Sequence, residues 1–346
     1  MQRARLILLP FSLLYGLGVA VRNLFFDIGI FKTTAAGVPV ISIGNLSAGG
    51  TGKTPIVEML ALRLRNAGKK VAVVSRGYRR QSTGYVLVSN GSGPLTDVQK
   101  AGDEALQMAG NLDGVIVAVD ESRVRAARTV ARTLGADRII LDDGFQHRDL
   151  HRDLNIVVVT ASEILAGEFL LPAGNRREPL RALKRSDIVI VTRWKDREEF
   201  ERAAQKVKQF GKPVAGARIE LCSFRTMSAN QPVELSALSG KRVVAFSGIG
   251  NPDSFEELLA SSGAVIEQHL VFPDHHWFTA ADLKNISDAR ERSNAVFIVT
   301  TEKDAARMNA EAGEFSESTP VVVVRIRQNV TVGGELLNDL LKRLES

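Results

Sequence analysis

From Val38 onward, short runs of β-branched residues alternate with longer stretches in which apolar residues recur every three or four positions. The short runs are continuously apolar, which is typical of parallel strands covered on both faces. They predict strands at residues 38–43, 71–75, 115–119, 138–141, 156–159 and 188–191. The longer stretches predict helices at 53–66, 103–109, 122–134 and 197–210. The pattern therefore predicts an α/β fold with a parallel sheet flanked by helices.

The composition changes near residues 212–241, where prolines and glycines interrupt short strand-like pieces. A second alternating unit follows, with strands predicted at 243–247, 265–270, 296–300 and 321–324. Its predicted helices are 254–261, 280–292 and 334–344. We therefore expect a main domain over 31–212, a connection over 213–242, and a smaller α/β domain over 243–346.

The N-terminus is apolar and flanked by basic residues. No charged side chain occurs between Arg5 and Arg22, and this run is shorter than the roughly 20 residues that a membrane-spanning helix needs. A secretory signal would carry a small-residue cleavage site, which is not evident here. We expect residues 1–30 to form a monotopic helix on the membrane surface, with its arginines near anionic lipid. A buried core helix is the alternative.

Bulk charge narrows the classes of partner. The chain has 346 residues, a formal net charge of +6 and a single cysteine, Cys222. One cysteine excludes an intramolecular disulfide and suits a reducing cytoplasm. The positive charge favours a nucleotide, a phosphorylated substrate, a nucleic acid or an acidic membrane surface. No basic stripe with interleaved aromatic residues is present, so we expect no nucleic-acid partner.

A glycine-rich segment lies between the first predicted strand and the first long helix. Such a segment cradles phosphate because unpaired N–H groups and the positive end of the helix dipole point inward. Lys53 would reach the β- and γ-phosphates of ATP, and Thr54 would bind Mg²⁺. The strict motif has glycine at the position of Ser47. The predicted nucleotide-binding residues are Ser47, Ala48, Gly49, Gly50, Thr51, Gly52, Lys53 and Thr54.

Acidic residues are predicted at two further sites near the phosphates. Asp142 and Asp143 follow the strand at 138–141, where a carboxylate of a phosphate-loop protein holds Mg²⁺. Asp103 and Glu104 precede a predicted helix, where Asp103 would be its N-cap and Glu104 a first-turn residue. That structural role is compatible with a chemical one, in which Asp103 acts as a base. A base there would accept the proton of a substrate hydroxyl.

Basic and aromatic loops supply candidate substrate contacts. Arg76 and Tyr78 follow the strand at 71–75, and either Arg176 or Arg177 of PAGNRREP would clamp a phosphate. The loop of Arg76 and Tyr78 is otherwise a solvated turn. In the second domain, FPDHHWF includes His275, which would orient a carboxylate base; metal binding by its adjacent histidines is a weaker alternative. TEKD at 301–304 is either a helix start or a ligand contact.

The ordered motifs GNLSAGGTGKTP, SRGY, GDE, LDDGFQHR, PAGNRREP, FPDHHWF and TEKD resemble the tetraacyldisaccharide 4'-kinases of lipid A biosynthesis. The resemblance covers nearly the whole chain. It implies a P-loop NTPase-type fold and ATP-dependent phosphorylation of the 4'-hydroxyl of a tetraacyldisaccharide 1-phosphate. It also implies a location at the cytoplasmic face of the bacterial inner membrane, without an obligate protein partner.

The resemblance also implies individual roles. Asp103 corresponds to the catalytic base, with His275 as its partner, and Lys53 lies in the phosphate loop. Glu104, Asp142 and Asp143 correspond to metal- or phosphate-organising positions. A serine or threonine is usual at the position of Ser47, and Arg177 matches the substrate-binding loop better than Arg176. A P-loop NTPase switch or metallochaperone without a lipid acceptor is the alternative function.

Overall fold

A computed structural model describes residues 7–227, 231–308 and 320–344. The chain forms two compact units, one of Met1–Ile219 with Gln328–Ser346 and the other of Glu220–Arg327. Residues 328–346 thus belong with the first unit, whereas the predicted smaller domain extended over 243–346. These residues belong with the first unit because Leu337 and Leu341 of the last helix are buried in its hydrophobic core.

The first unit contains a mainly parallel sheet. Its strands are β1 (Val40–Gly44), β2 (Val71–Ser75), β3 (Val86–Asn90), β4 (Ile116–Val119), β5 (Arg138–Asp142), β6 (Leu154–Thr160), β7 (Ile188–Thr192) and the start of β8 (Val214–Thr226). Their order is β8-β7-β6-β1-β5-β2-β4-β3. Only β3, an edge strand absent from the prediction, pairs antiparallel within this set.

Helices cover both faces of this sheet. The α-helices that precede β8 are α1 (Leu9–Asp27), α2 (Lys53–Asn66), α3 (Val98–Ala101), α4 (Asp103–Asn111), α5 (Arg123–Leu134), α6 (Ala161–Leu165) and α7 (Arg197–Lys208). The β-branched strands β1 and β2 are buried along their whole length. Alternate residues of these strands contribute to different apolar clusters, which explains why the strands are apolar without alternation.

The second unit is also α/β. It contains β9 (Pro232–Val233), β10 (Arg242–Ser247), β11 (Val265–Val271) and β12 (Phe297–Thr301), with helices α8 (Pro252–Ser261), α9 (Ala280–Ser293) and α10 (Glu302–Arg307). Strands β11, β10 and β12 pair in parallel. Strand β13 (Val321–Val332) starts in this unit and continues into the first, where α11 (Gly334–Lys342) follows.

Helix α1 has an unusual distribution of polarity. Leu13, Leu14 and Leu17 are 75%, 66% and 61% exposed, whereas Ser12 is buried. The Ser12 hydroxyl donates to the carbonyl of Leu170 at 2.9 Å and accepts from the amide of Ala173 at 3.0 Å. Within the described part of the chain, α1 is the one helix long and apolar enough to cross a membrane.

Sheet register brings the predicted site segments to one edge. Ile43, next to the end of β1, pairs with Asp142 at the end of β5. Val74 of β2 pairs with Leu141 of the same strand. Because these strands are parallel, the loops that follow β1, β2 and β5 all leave the same edge of the sheet, where ligands of such sheets bind.

Candidate active site

The glycine-rich segment forms a compact loop between β1 and α2. Gly49 and Gly52 have φ angles of 139° and 84°, values that favour glycine. The amide of Thr51 donates to the carbonyl of Gly49 at 3.1 Å. Gly52 caps α2, so Lys53 and Thr54 are its first two residues. The free amides of a helix start favour an anion at this point.

Side chains from two strand ends hold this loop. Asn45 Nδ2 donates to the carbonyl of Gly49 at 3.4 Å and lies 3.3 Å from Thr51 Oγ1. Thr192 Oγ1, at the end of β7, donates to the carbonyl of Thr51 at 2.7 Å. The loop is therefore shaped by fixed neighbours as well as by its glycines.

Ser47 has a partner that a glycine would lack. Its hydroxyl donates to the carboxylate of Glu163, and both residues are buried. Burial raises the pKa of Glu163, while the bond from Ser47 opposes that rise. Arg176 is also buried and donates to the backbone carbonyls of Glu163 and Glu168. The Arg176 side chain is therefore bonded to main-chain carbonyls of the segment from Glu163 to Glu168.

Asp143 joins the phosphate loop to the PAGNRREP loop. Its Oδ1 lies 3.1 Å from Lys53 Nζ. Its Oδ2 accepts from Arg177 Nη1 at 2.8 Å. Burial opposes ionisation of this carboxyl, but the charges of Lys53 and Arg177 prevail and hold its pKa well below the usual range. The structure thus distinguishes the two arginines: Arg177 contacts the acidic site, and Arg176 does not take that role.

Asp142 is buried in a more acidic environment. Ser75 Oγ donates to its Oδ2 at 2.9 Å, whereas its Oδ1 has no hydrogen-bond partner among the described residues. Burial, together with the charges of Glu104 and Asp143, raises the pKa of Asp142 to about 6. The pKa values of these two adjacent carboxyls are therefore shifted in opposite directions, because Asp143 contacts Lys53 and Arg177 directly and Asp142 does not.

These residues fit Mg²⁺ in the form that phosphate-loop proteins use. In the described ranges, no group of three or more His, Cys, Asp and Glu side chains is arranged to hold a metal ion. Mg²⁺ normally takes one or two protein ligands and completes its shell with water and phosphate oxygens. The unpartnered buried oxygen of Asp142 and the nearby start of α2 suit that kind of site.

The predicted base begins helix α4. Asp103 is buried, and its Oδ1 accepts from the amide of Glu104 at 2.9 Å. Gly102, with a φ of 84°, precedes it as the cap of the helix. The first-turn position and a chemical role are compatible, since a carboxylate at a helix N-terminus is stabilised in its charged form.

The predicted substrate residues Arg76 and Tyr78 follow β2 and are exposed. Arg76 is close enough for its charge to lower the pKa of Arg123, although burial is the larger cause. Arg123 is itself a residue that the prediction missed. Its guanidinium donates to the carbonyls of Asp120 and Glu121, and the charges of Asp142 and Asp143 favour its protonated form.

Glu178 also escaped prediction as a site residue. It is buried and accepts from Arg185 at 2.6 Å, from Gln146 at 3.1 Å and from Asn23 of α1 at 3.0 Å. Glu178 directly follows Arg177 in PAGNRREP, and this position next to a predicted site residue was the sequence signal that could have identified it. The contacts show that this loop is bonded both to the segment after β5 and to α1.

The remaining predicted residue, His275, lies in the second unit. Its φ is 62°, and its amide donates to the carbonyl of Gly248 at 3.0 Å. In TEKD, Thr301 caps α10, and buried Asp304 accepts from the amide of Gly248 at 2.9 Å and from Arg307. TEKD therefore forms a helix start with a buried ion pair.

Comparison with known proteins settles the family. The family model described as tetraacyldisaccharide-1-P 4'-kinase, LpxK, matches residues 4–345. The chain belongs to the tetraacyldisaccharide 4'-kinase family. A tetraacyldisaccharide 4'-kinase of Syntrophus aciditrophicus is 39% identical over 88% of this chain and 84% of its own length. The corresponding protein of Pelodictyon phaeoclathratiforme is 35% identical over 98% and 97%.

A solved structure agrees with this family and with the predicted fold class. The crystal structure of LpxK from Aquifex aeolicus in complex with ATP has 33% sequence identity and a TM-score of 0.79, and the match covers 99% of both chains. The predicted family and the P-loop NTPase-type α/β fold with an N-terminal apolar helix are thereby confirmed.

Proposed function

We propose that this chain catalyses the reaction of its family, transfer of the γ-phosphate of ATP to the 4'-hydroxyl of a tetraacyldisaccharide 1-phosphate. The observation that carries the proposal is the grouping of Lys53, Asp143 and Arg177 beside a phosphate loop in a chain of this family. Phosphoryl transfer depends chiefly on positioning and on neutralising charge, and this grouping supplies both.

The phosphate loop holds the triphosphate of ATP in this proposal. Backbone amides from Gly49 to Thr54 surround the phosphate oxygens, and Lys53 neutralises charge that develops on the γ-phosphate. Asp143 keeps the Lys53 ammonium at the loop through their 3.1 Å contact. Arg177 adds a second cation on the same carboxylate.

Thr54 and Asp142, with Glu104 nearby, are the residues that would hold Mg²⁺. When bound, that ion supplies further neutralisation of the phosphate oxygens. Burial and its acidic neighbours raise the pKa of Asp142, and the charge of a bound cation would favour the ionised carboxylate. The chain's own contribution is thus a buried acceptor oxygen close to the loop.

Asp103 is the proposed general base, and it accepts the proton of the 4'-hydroxyl as that oxygen attacks the phosphorus. Its pairing with His275 stays a prediction. Arg76 and Tyr78 are proposed contacts of the sugar headgroup, because both are exposed at the end of β2. An arginine and an aromatic ring suit an anionic sugar.

The acyl chains of the acceptor require access to a membrane. We propose that the exposed apolar side of α1 lies in the cytoplasmic leaflet of the inner membrane. The exposed leucines of this helix support the proposal, as does the family's lipid substrate. Membrane attachment would bring the lipid headgroup to the protein without removing the acyl chains from the bilayer.

The test is transfer of label from γ-labelled ATP to the lipid acceptor. Asp103→Ala should lower kcat by about 10²- to 10⁴-fold, as expected for loss of a general base, while ATP affinity stays close to that of wild type. Asp113→Ala, at an exposed position after α4, is the matched control and should keep full activity. Near-normal kcat in Asp103→Ala would refute the role of Asp103. Absence of labelled lipid with wild type would refute the acceptor.

A further inference from the structure

A buried glutamine packs against the phosphate loop from a distant part of the sequence. Gln328 lies in β13 and is only 2% exposed. A Cβ built on Gly52 would stand 2.7 Å from Gln328 Nε2. That distance is closer than non-bonded heavy atoms approach, so a side chain at position 52 would displace the Gln328 amide from its place beside the cap of α2.

The amide of Gln328 is chemically unusual. Neither its Nε2 nor its Oε1 has a hydrogen-bond partner among the residues that the structure describes. Buried amides are nearly always bonded, because leaving one unsatisfied costs about 1–3 kcal/mol. An apolar side chain of equal length would avoid this cost, so packing alone does not account for glutamine here.

Two other polar side chains hold the main chain of the phosphate loop by hydrogen bonds. Asn45 bonds the carbonyl of Gly49, and Thr192 bonds the carbonyl of Thr51. Both act on the main chain of the loop, from the ends of β1 and β7. Gln328 is a further polar side chain at this loop and stands beside the next residue, Gly52.

We propose that Gln328 is a positioning residue for the phosphate loop, bonding the loop main chain around Gly52 when ATP occupies its concave side. This inference rests on the proposed binding of ATP. Gln328 is also the first residue of the segment that returns to the first unit, and β13 runs through it without interruption. ATP binding would therefore order the start of this segment together with the loop.

The decisive variant is Gln328→Met, which keeps length and removes both polar atoms. We expect the dissociation constant and the KM for ATP to rise about tenfold, corresponding to about 1.4 kcal/mol. The Tm without nucleotide should be unchanged or higher, because an unsatisfied buried amide has been removed. Gln209→Met, at an exposed position after α7, should change neither quantity.

If Gln328 had a purely structural role, the Gln328→Met substitution would not change the dissociation constant for ATP, whatever its effect on Tm. That result would overturn the proposal. Since binding is measured with ATP alone, the result does not depend on the lipid acceptor. Failure of wild type to phosphorylate lipid would refute the proposed reaction while leaving this measurement intact.

Hydrogen exchange in wild type provides a second measurement if Gln328→Met folds poorly. ATP should slow exchange of the backbone amides of β13 around Gln328 as well as those of the phosphate loop. Slower exchange in the loop with no change in β13 would contradict the proposal, because the two segments would then respond separately.

Discussion

Arg177 Nη1 donates to Asp143 Oδ2 at 2.8 Å, and this bond connects the PAGNRREP loop to the end of β5. Asp143 has a φ of 51°, so its backbone turns sharply just after the strand. The other carboxylate oxygen faces Lys53 at 3.1 Å. One carboxylate therefore fixes two cations from separate segments, and its low pKa keeps it charged at any physiological pH.

Arg177→Ala should weaken the site while leaving the fold intact. Removing this guanidinium leaves Lys53 as the direct ionic partner of Asp143, so Lys53 is drawn more strongly toward the carboxylate. We expect kcat/KM for ATP to fall about tenfold or more, and Arg177→Lys to restore only part of the loss because lysine lacks the planar fork. Steady-state kinetics check this, with exposed Arg181→Ala as the control. Equal activity of Arg177→Ala and wild type would contradict it.

Ser47→Gly should destabilise the protein even though it restores the strict phosphate-loop motif. The substitution leaves the buried carboxylate of Glu163 without its hydroxyl donor. We expect the free energy of unfolding to fall by about 1–3 kcal/mol. Denaturant titration measures the change, and Ser47→Thr, which keeps the hydroxyl, should lose less. A Ser47→Gly variant as stable as wild type would show that this bond is unimportant.

His147 predicts a pH dependence of stability. Burial, reinforced by the charge of Arg123, lowers its pKa from 6.5 to about 4. The unfolded chain therefore binds a proton more readily, so this residue's contribution to stability is complete above pH 6.5 and is lost as pH falls. As the pH falls from 6.5 to about 4, protonation of this group should lower the free energy of unfolding by up to about 1.4 kcal/mol per pH unit.

Urea titrations between pH 7.5 and 4.5 test this prediction. His147→Asn should show a shallower loss of stability on the acid side, because asparagine stays neutral. His151→Asn, at an exposed position, should keep the wild-type slope. Identical slopes for His147→Asn and wild type would exclude His147 as a source of acid sensitivity.

Leu13→Glu with Leu17→Glu should release the protein from membranes. Both side chains are exposed, so the folded state loses little, whereas transfer of each leucine into the bilayer contributes about 1.5–3 kcal/mol. Flotation with vesicles containing anionic lipid measures binding. ATP binding should be unchanged. Persistent flotation of the double variant would place the membrane contact elsewhere in the protein.

Much of the first unit was predictable because its strands are uniformly apolar and its helices begin at clear signals. The strand Val71–Ser75 and the helix Lys53–Asn66 match their predicted ranges. The long strand Val214–Thr226 lies entirely within the predicted connection over 213–242, because Gly216 and the mixed polarity that follows are typical of a linker. The edge strand Val86–Asn90 is short and only partly buried, so its sequence has little of the apolar pattern that predicts a strand.

Site chemistry was predictable where it follows a strand and unpredictable where it depends on distant partners. Asp142, Asp143 and Lys53 follow strands, and their convergence came from parallel topology. Nothing local relates Ser47 to Glu163, or Gly52 to Gln328. Arg123 resembled an ordinary residue at the start of an amphipathic helix, and its burial arises only from tertiary packing.

Helix α1 cannot be treated as a detachable tail. The Tyr15 hydroxyl donates to the carbonyl of Arg177, and Asn23 donates to Glu178 in the same loop. Truncation to obtain a more soluble protein would strip two supports from the loop that holds Asp143, so lost activity would be misattributed to lost membrane binding. Replacing the outward leucines instead would separate attachment from catalysis, and a transplanted anchor would need matching hydroxyl and amide groups on its inner side.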